Sequence, residues 1–127
     1  SNHPDLAFSY KNIGWVYSKI GDSSQALLYY NKVVAVREES HPDSGQSYNK
    51  IGKVHDSMGD YSQALSHYTK ALAILEKTLP SDNPHLAPFY NNISGTYYKM
   101  KEYSKAQPYF QKTLEIRQRS LPAEHPD

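Results

Sequence analysis

The sequence predicts an all-α fold, a solenoid of three helix pairs followed by the start of a fourth. Three observations carry that prediction. Apolar residues recur at steps of three and four along nearly the whole chain, which places them on one side of successive helices. The pattern then repeats, first at an offset of 38 (Tyr10 to Tyr48, Ile13 to Ile51, Gly21 to Gly59, Ala26 to Ala64, Tyr30 to Tyr68) and next at 42 (Tyr48 to Tyr90, Ile51 to Ile93, Ala64 to Ala106, Tyr68 to Phe110). Finally, His-Pro-Asp opens a unit at His3 and at His41 and returns at His125, with Asn83-Pro84 in the same place in the third unit. The units read as 3–40, 41–82 and 83–124, residues 125–127 begin a truncated fourth, and Ser1-Asn2 stands outside the frame as a cloning remnant.

Each helix is justified by its own stripe. Leu6, Tyr10, Ile13, Tyr17 and Ile20 mark the first, and Ala26, Tyr30, Val33 and Val34 the second. Tyr48, Ile51 and Met58 mark the third, and Ala64, Tyr68, Ala71, Leu72 and Leu75 the fourth. Leu86, Tyr90, Ile93, Tyr97 and Met100 mark the fifth, and Ala106, Phe110, Leu114 and Leu121 the sixth. Gly21-Asp22 and Gly59-Asp60 separate the halves of the first two units, the glycine ending one helix left-handed and the aspartate capping the next, with Gln25 and Gln63 completing box-like starts. Lys101-Glu102 replaces that pair in the third unit, and a left-handed lysine costs about 1 kcal/mol, so a looser turn is expected there. Pro108, past the first turn of its helix, is expected to bend or loosen the start of that helix. The His-Pro-Asp openings read as helix starts: His or Asn caps, proline fits the first turn, and Asp5 or Asp43 faces the positive helix end. Leu79-Pro80-Ser81-Asp82 and Leu121-Pro122-Ala123-Glu124 have no counterpart before His41, so the link from first to second unit is the tight one.

Tyr10-x-x-Ile13-Gly14-x-x-Tyr17 with Ala26-x-x-x-Tyr30 resembles the tetratricopeptide repeat, and so do Tyr48, Ile51, Gly52, His55, Ala64, Tyr68 and Tyr90, Ile93, Ser94, Tyr97, Ala106, Phe110. The proline that usually closes such a unit is replaced by Glu38, Glu76 and Gln118, so second helices that run on are expected. The long units, their openings, Asn91-Asn92, and Ala106-Gln107-Pro108-Tyr109-Phe110 before Leu114-Glu115-Ile116-Arg117 are similar to the repeats of kinesin light chains. The resemblance implies a right-handed superhelix whose first helices line a concave groove that grips a peptide. For kinesin light chains it implies acidic cargo motifs containing an aromatic.

Residues of the first helices that lie off the buried stripe are the candidate groove: Lys11, Asn12, Trp15 and Lys19, then Asn49, Lys50, Lys53 and Asp56, then Asn91, Asn92, Tyr98 and Lys99. Five lysines stand there against one aspartate, although the whole chain carries a net charge of only +1. Carboxamides both donate and accept, which suits them to an extended main chain, and lysines beside them favour an acidic one. Trp15 is either a rigid anchor for a bulky partner residue or a packing residue against the next unit. The carboxylate clamp of some tetratricopeptide domains fits poorly, because Trp15, Pro88 and Asn92 stand where it needs asparagine, lysine and arginine.

The expected function is a protein-interaction scaffold or adaptor binding an extended, acidic, aromatic-containing peptide. A structural spacer that self-associates end to end through its terminal repeats is the alternative. Single-stranded RNA binding comes third, since stacked aromatics at base spacing are lacking. No enzyme, cofactor or metal site is expected: there is no cysteine, His-x3-His pair, phosphate loop or nucleophile motif. The J-domain His-Pro-Asp loop occurs once, in another fold, whereas here the tripeptide keeps phase with the repeat. No apolar stretch is long enough for a membrane span, and with no leader visible in this stretch the cytoplasm is the expected location.

Overall fold

The computed structural model describes residues 3–36, 42–80 and 83–120. They form α1 (His3–Lys19), α2 (Ser23–Val36), α3 (Pro42–Ser57), α4 (Tyr61–Glu76), a single 3₁₀ turn (Pro84–Leu86), α5 (Ala87–Lys99) and α6 (Tyr103–Ser120). Each odd-numbered helix packs antiparallel to the next as a hairpin, while α2 packs on α3 and α4 on α5 to join successive pairs. The predicted helix-pair solenoid is what forms. Residues 37–41 connect the first pair to the second, so the tightness of that link, like the cap at His41, falls outside the described residues, while His3 is already the first residue of α1.

Burial shows what joins the pairs. Ile13, Ile51 and Ile93 occupy one column, yet Ile13 is 37% exposed while Ile51 and Ile93 are 1% and 2%. The second and third are covered by α2 and α4 of the preceding pair, which α1 lacks. At the other end the column Tyr30, Tyr68, Phe110 runs 2%, 1% and 41%. The expected stripe is therefore buried in the middle and open at both ends, and Leu6 and Leu114 are exposed for the same reason. Met58, also expected inside, lies exposed just past the last turn of α3.

A close approach fixes the hairpins. A Cβ added at Gly14 would come within 2.7 Å of the Tyr30 ring, and one at Gly52 within 2.7 Å of the Tyr68 ring. Both tyrosines lie against a helix surface that only glycine leaves free. The third pair has Ser94 in this column, and its partner Phe110 is the member left open.

The three hairpin turns share one geometry, including the one expected to be looser. Gly21 (φ 87°), Gly59 (φ 81°) and Lys101 (φ 64°) are all left-handed. Asp22 N–H donates to the Tyr17 carbonyl at 2.9 Å, Asp60 N–H to His55 at 2.8 Å and Glu102 N–H to Tyr97 at 2.9 Å, closing the same Schellman turn each time. The backbone bonds and the packing of α5 on α6 hold Lys101 in the strained conformation, so the strain is borne rather than relaxed. The caps also differ from expectation. Asp22 accepts from Gln25 N–H at 3.2 Å, but Asp60 makes no cap bond and leans back towards His55. Asn83 does cap, accepting from His85 N–H at 2.9 Å. Helix α6 continues unbroken through Pro108 and past Gln118, whereas α4 stops at Glu76. The Glu76 carboxylate accepts from the Tyr90 hydroxyl at 2.6 Å and so ties α5 to the end of α4.

Two substitutions test this account. Lys101→Gly should stabilise the chain by about 0.5–1 kcal/mol in urea unfolding by removing the left-handed penalty. Gly52→Ala should destabilise it by about 1–3 kcal/mol, because the methyl group has no space beside Tyr68.

Candidate peptide groove

The odd-numbered helices run side by side, and contacts between them link a residue on one helix to the column beside its equivalent on the next. Asn92 Nδ2 donates to Asn49 Oδ1 at 3.0 Å across 43 residues, one more than the repeat offset. Lys99 Nζ donates to Asp56 Oδ1 at 3.0 Å, also across 43 residues. Thr96, fully buried, gives its hydroxyl to the other Asp56 oxygen at 3.0 Å. Burial, and after it the nearby Asp56 carboxylate, push the pKa of the Tyr68 hydroxyl on α4 well up. Asp56 thus ties α3 to α5 through one largely buried anion.

The structure brings only some of the predicted residues together. Lys99 is paired with Asp56, so four of the five predicted lysines make up the basic cluster. Asn49 and Asn92 are spent partly on each other. Tyr98 turns away from the lysines to meet Tyr103 and Phe110, ring centroids 5.2 and 6.5 Å away, at the open end of the third pair. Asn12 lines a shallow hollow with Ile13, Val16 and Tyr17 at the opposite open end. Asn91 is exposed on α5.

What remains together is basic. Lys50 is half-buried, and its pKa is lowered first by that burial and then by Lys53, Lys11 and Lys19. Lys11 belongs to the column next to Lys50, the relation that Asn49 bears to Asn92; where the α3–α5 junction has two hydrogen-bonded amides, the α1–α3 junction has two like charges. Trp15 does not bury itself against the next pair. It is 51% exposed, with the Lys19 ammonium 5.3 Å from its ring centre.

Beside this cluster a cavity of about 570 Å³ opens between α3 and the start of α5. Gln46, Asn49, Lys50 and Lys53 supply its polar wall; Leu75, Leu79 and Phe89 supply an apolar one, with Thr78 and His85 completing it. Leu79 and His85 belong to the longer connection that follows α4. Sequence reasoning located that insertion but did not see that it walls a cavity; it missed Leu79 and His85, which lie in the connection, and Phe89, whose counterparts on α3 and α1 are Ser47 and Ser9 and so show no apolar column. Among the described residues no three His, Asp or Glu side chains gather as a metal site would require, and no helix is long and apolar enough to cross a membrane.

Models of the tetratricopeptide repeat match residues 1–39, 35–77 and 89–127, and the chain belongs to that family. The solved structures similar to it in fold include BtubC (BKLC) from P. vanneervenii, 20% identical over 100% of this chain and 51% of that one, with a TM-score of 0.89. They also include a putative kinesin light chain from Podosopora anserina with nearly identical TPR-like repeats, 23% identical over 99% and 62%, with a TM-score of 0.80. The N-terminal domain of stress-induced protein-1 from C. elegans is 20% identical over 91% and 88%, with a TM-score of 0.75. The chain spans about half the length of BtubC. No curated protein sequence matches it. Tetratricopeptide repeats are in general protein-interaction scaffolds, and that is the class to which this chain belongs.

Crowded like charges repel one another, and salt screens them. Lys50→Met should therefore raise stability by about 0.5 kcal/mol at low ionic strength. The gain should shrink at about 0.5 M salt, a comparison that thermal unfolding at the two ionic strengths makes directly.

Proposed function

We propose that the chain is a peptide-binding adaptor module whose ligand is an extended, acidic segment carrying a bulky or aromatic side chain. The observation that carries this reading is the juxtaposition of Lys11, Lys19, Lys50 and Lys53 with exposed Trp15 and the half-apolar cavity under Lys50. Four clustered cations favour an anionic partner. Trp15 and the wall of Leu75, Leu79 and Phe89 give that partner somewhere to bury apolar surface, and the exposed Asn91 gives its main chain a donor and an acceptor. The low identity to the kinesin light chain structure supports the fold only, so the ligand class rests on these side chains. A titration of acidic peptides with and without an aromatic residue tests it. Binding should weaken as salt rises, and Lys50→Glu should lower affinity by about tenfold or more, corresponding to about 1.4 kcal/mol. Undiminished binding by Lys50→Glu and Asn91→Ala together would remove the proposal.

A second reading, end-to-end self-association, is favoured by a different observation: Tyr98, Tyr103, Phe110 and Leu114 are exposed at one end, and Leu6, Ile13, Val16 and Ile20 at the other. Columns such as those of Ile13 and Phe110 are buried where pairs meet inside the chain. Sedimentation velocity should then show mass rising with concentration, and Phe110→Lys should abolish the rise; a monomer at every concentration eliminates this reading.

A further inference from the structure

The central pair differs from its neighbours at one internal contact. In the first pair Tyr17 stacks on Tyr29 with ring centroids 5.8 Å apart and planes 15° from parallel, and in the third Tyr97 stacks on Tyr109 at 6.0 Å and 28°. At the same two columns the central pair places His55 on His67, at 5.3 Å and 18°. Two phenol rings have been replaced by two imidazoles, the side-chain type whose charge can change within the physiological pH range.

Their surroundings set what protonation does. His67 faces the Gln63 carbonyl through Nδ1 at 2.9 Å, so Nδ1 carries its hydrogen and Nε2 is left to accept another. His55 is largely enclosed, and its Nδ1 is buried with no hydrogen-bond partner. The carboxylate that approaches it, Asp60, stands 3.7 Å away, beyond hydrogen-bond reach. The other ring nearby is Tyr48, 6.0 Å from His67 and covered on its own face by Lys70 at 4.9 Å, a further cation on that side. Asp56, next in sequence, is taken up by Lys99 and Thr96.

We propose that the His55–His67 stack is an acid-sensitive clasp of the central helix pair, closed while both rings are neutral and opened when protons make the stacked faces repel. The inference is independent of any ligand. Burial and His67 hold the pKa of His55 below its usual value, and Asp60 opposes them without prevailing. The folded chain thus binds a proton at His55 less readily than the unfolded chain does. The contribution of His55 to stability is complete above the ordinary imidazole range near 6.5 and is lost as pH falls through the lowered folded value. Because α3 ends just beyond His55, opening there also slackens Asp56, and with it the tie to Lys99 and Thr96 on α5.

The test rebuilds the tyrosine pair of the other units. Urea unfolding of the full chain and of the double variant His55→Tyr, His67→Tyr is compared at about pH 7.5 and about pH 5, the window in which imidazoles titrate. The unfolding constant of the parent should rise on acidification by about tenfold for each unit by which folding depresses the imidazole pKa, while that of the variant stays nearly level. Equal acid sensitivity in the two chains overturns the clasp. Should the double variant not fold, the ring-proton NMR titration of His55 in the parent decides: a midpoint below that of a histidine in an unstructured peptide upholds the clasp, and one at or above it overturns it.

Discussion

Tyr68 is the contact on which the rest of this solenoid depends. Its ring lies on α3 at Gly52, its backbone belongs to α4, and its hydroxyl lies near the Asp56 carboxylate that holds Thr96 and Lys99 of α5. One side chain therefore closes a hairpin and helps anchor its neighbour. Burying a ring of this size removes enough apolar surface to contribute about 2–3 kcal/mol, a sizeable share of the whole stability margin of many small domains. The largely buried Asp56 needs donors, which Thr96 and Lys99 supply, so apolar and polar packing meet at this point.

The same dependence explains the pattern of exposure. Tyr30 and Tyr68 are closed in by the helix that follows their pair; Phe110, in the same column, is not. A helix pair in a linear array has two faces to cover and can cover neither alone, so stability is a matter of nearest neighbours rather than of one central core. Among the described residues the two clusters of buried side chains lie at the two junctions, around Tyr30 with Tyr48 and around Tyr68 with Tyr90. The proposed ligand surface is the one that this stacking does not consume. The basic cluster sits where Lys11 of α1 and Lys50 of α3 are brought into neighbouring columns, and the cavity sits between α3 and α5, closed on one side by the longer connection after α4.

Much of the fold is legible in the order of residues. Columns such as Tyr30–Tyr68–Phe110 and Ile13–Ile51–Ile93 reveal the helices, their pairing and the family, because packing against like neighbours forces like residues to recur at one period. Turn chemistry is legible at Gly21 and Gly59 and misleading at Lys101, where tertiary packing imposes the glycine-like conformation on a lysine. Charge counting is half right: it finds the lysines of the inner helices, but it sets Asp56 against five of them as a lone exception when Asp56 is the fixed partner of Lys99.

By itself the sequence determined the periodic quantities, namely which columns recur, how many helix pairs form and where the helices begin and end to within a turn. These follow from local helical geometry and from the offsets of 38 and 42, and both are written in the order of residues. Only the tertiary structure decided which off-stripe residues act together. Neighbouring pairs are displaced relative to each other, so the partners are Asn49 with Asn92 and Asp56 with Lys99, a step of 43 rather than 42, and that displacement arises from side-chain packing between helices, which no repeat period records.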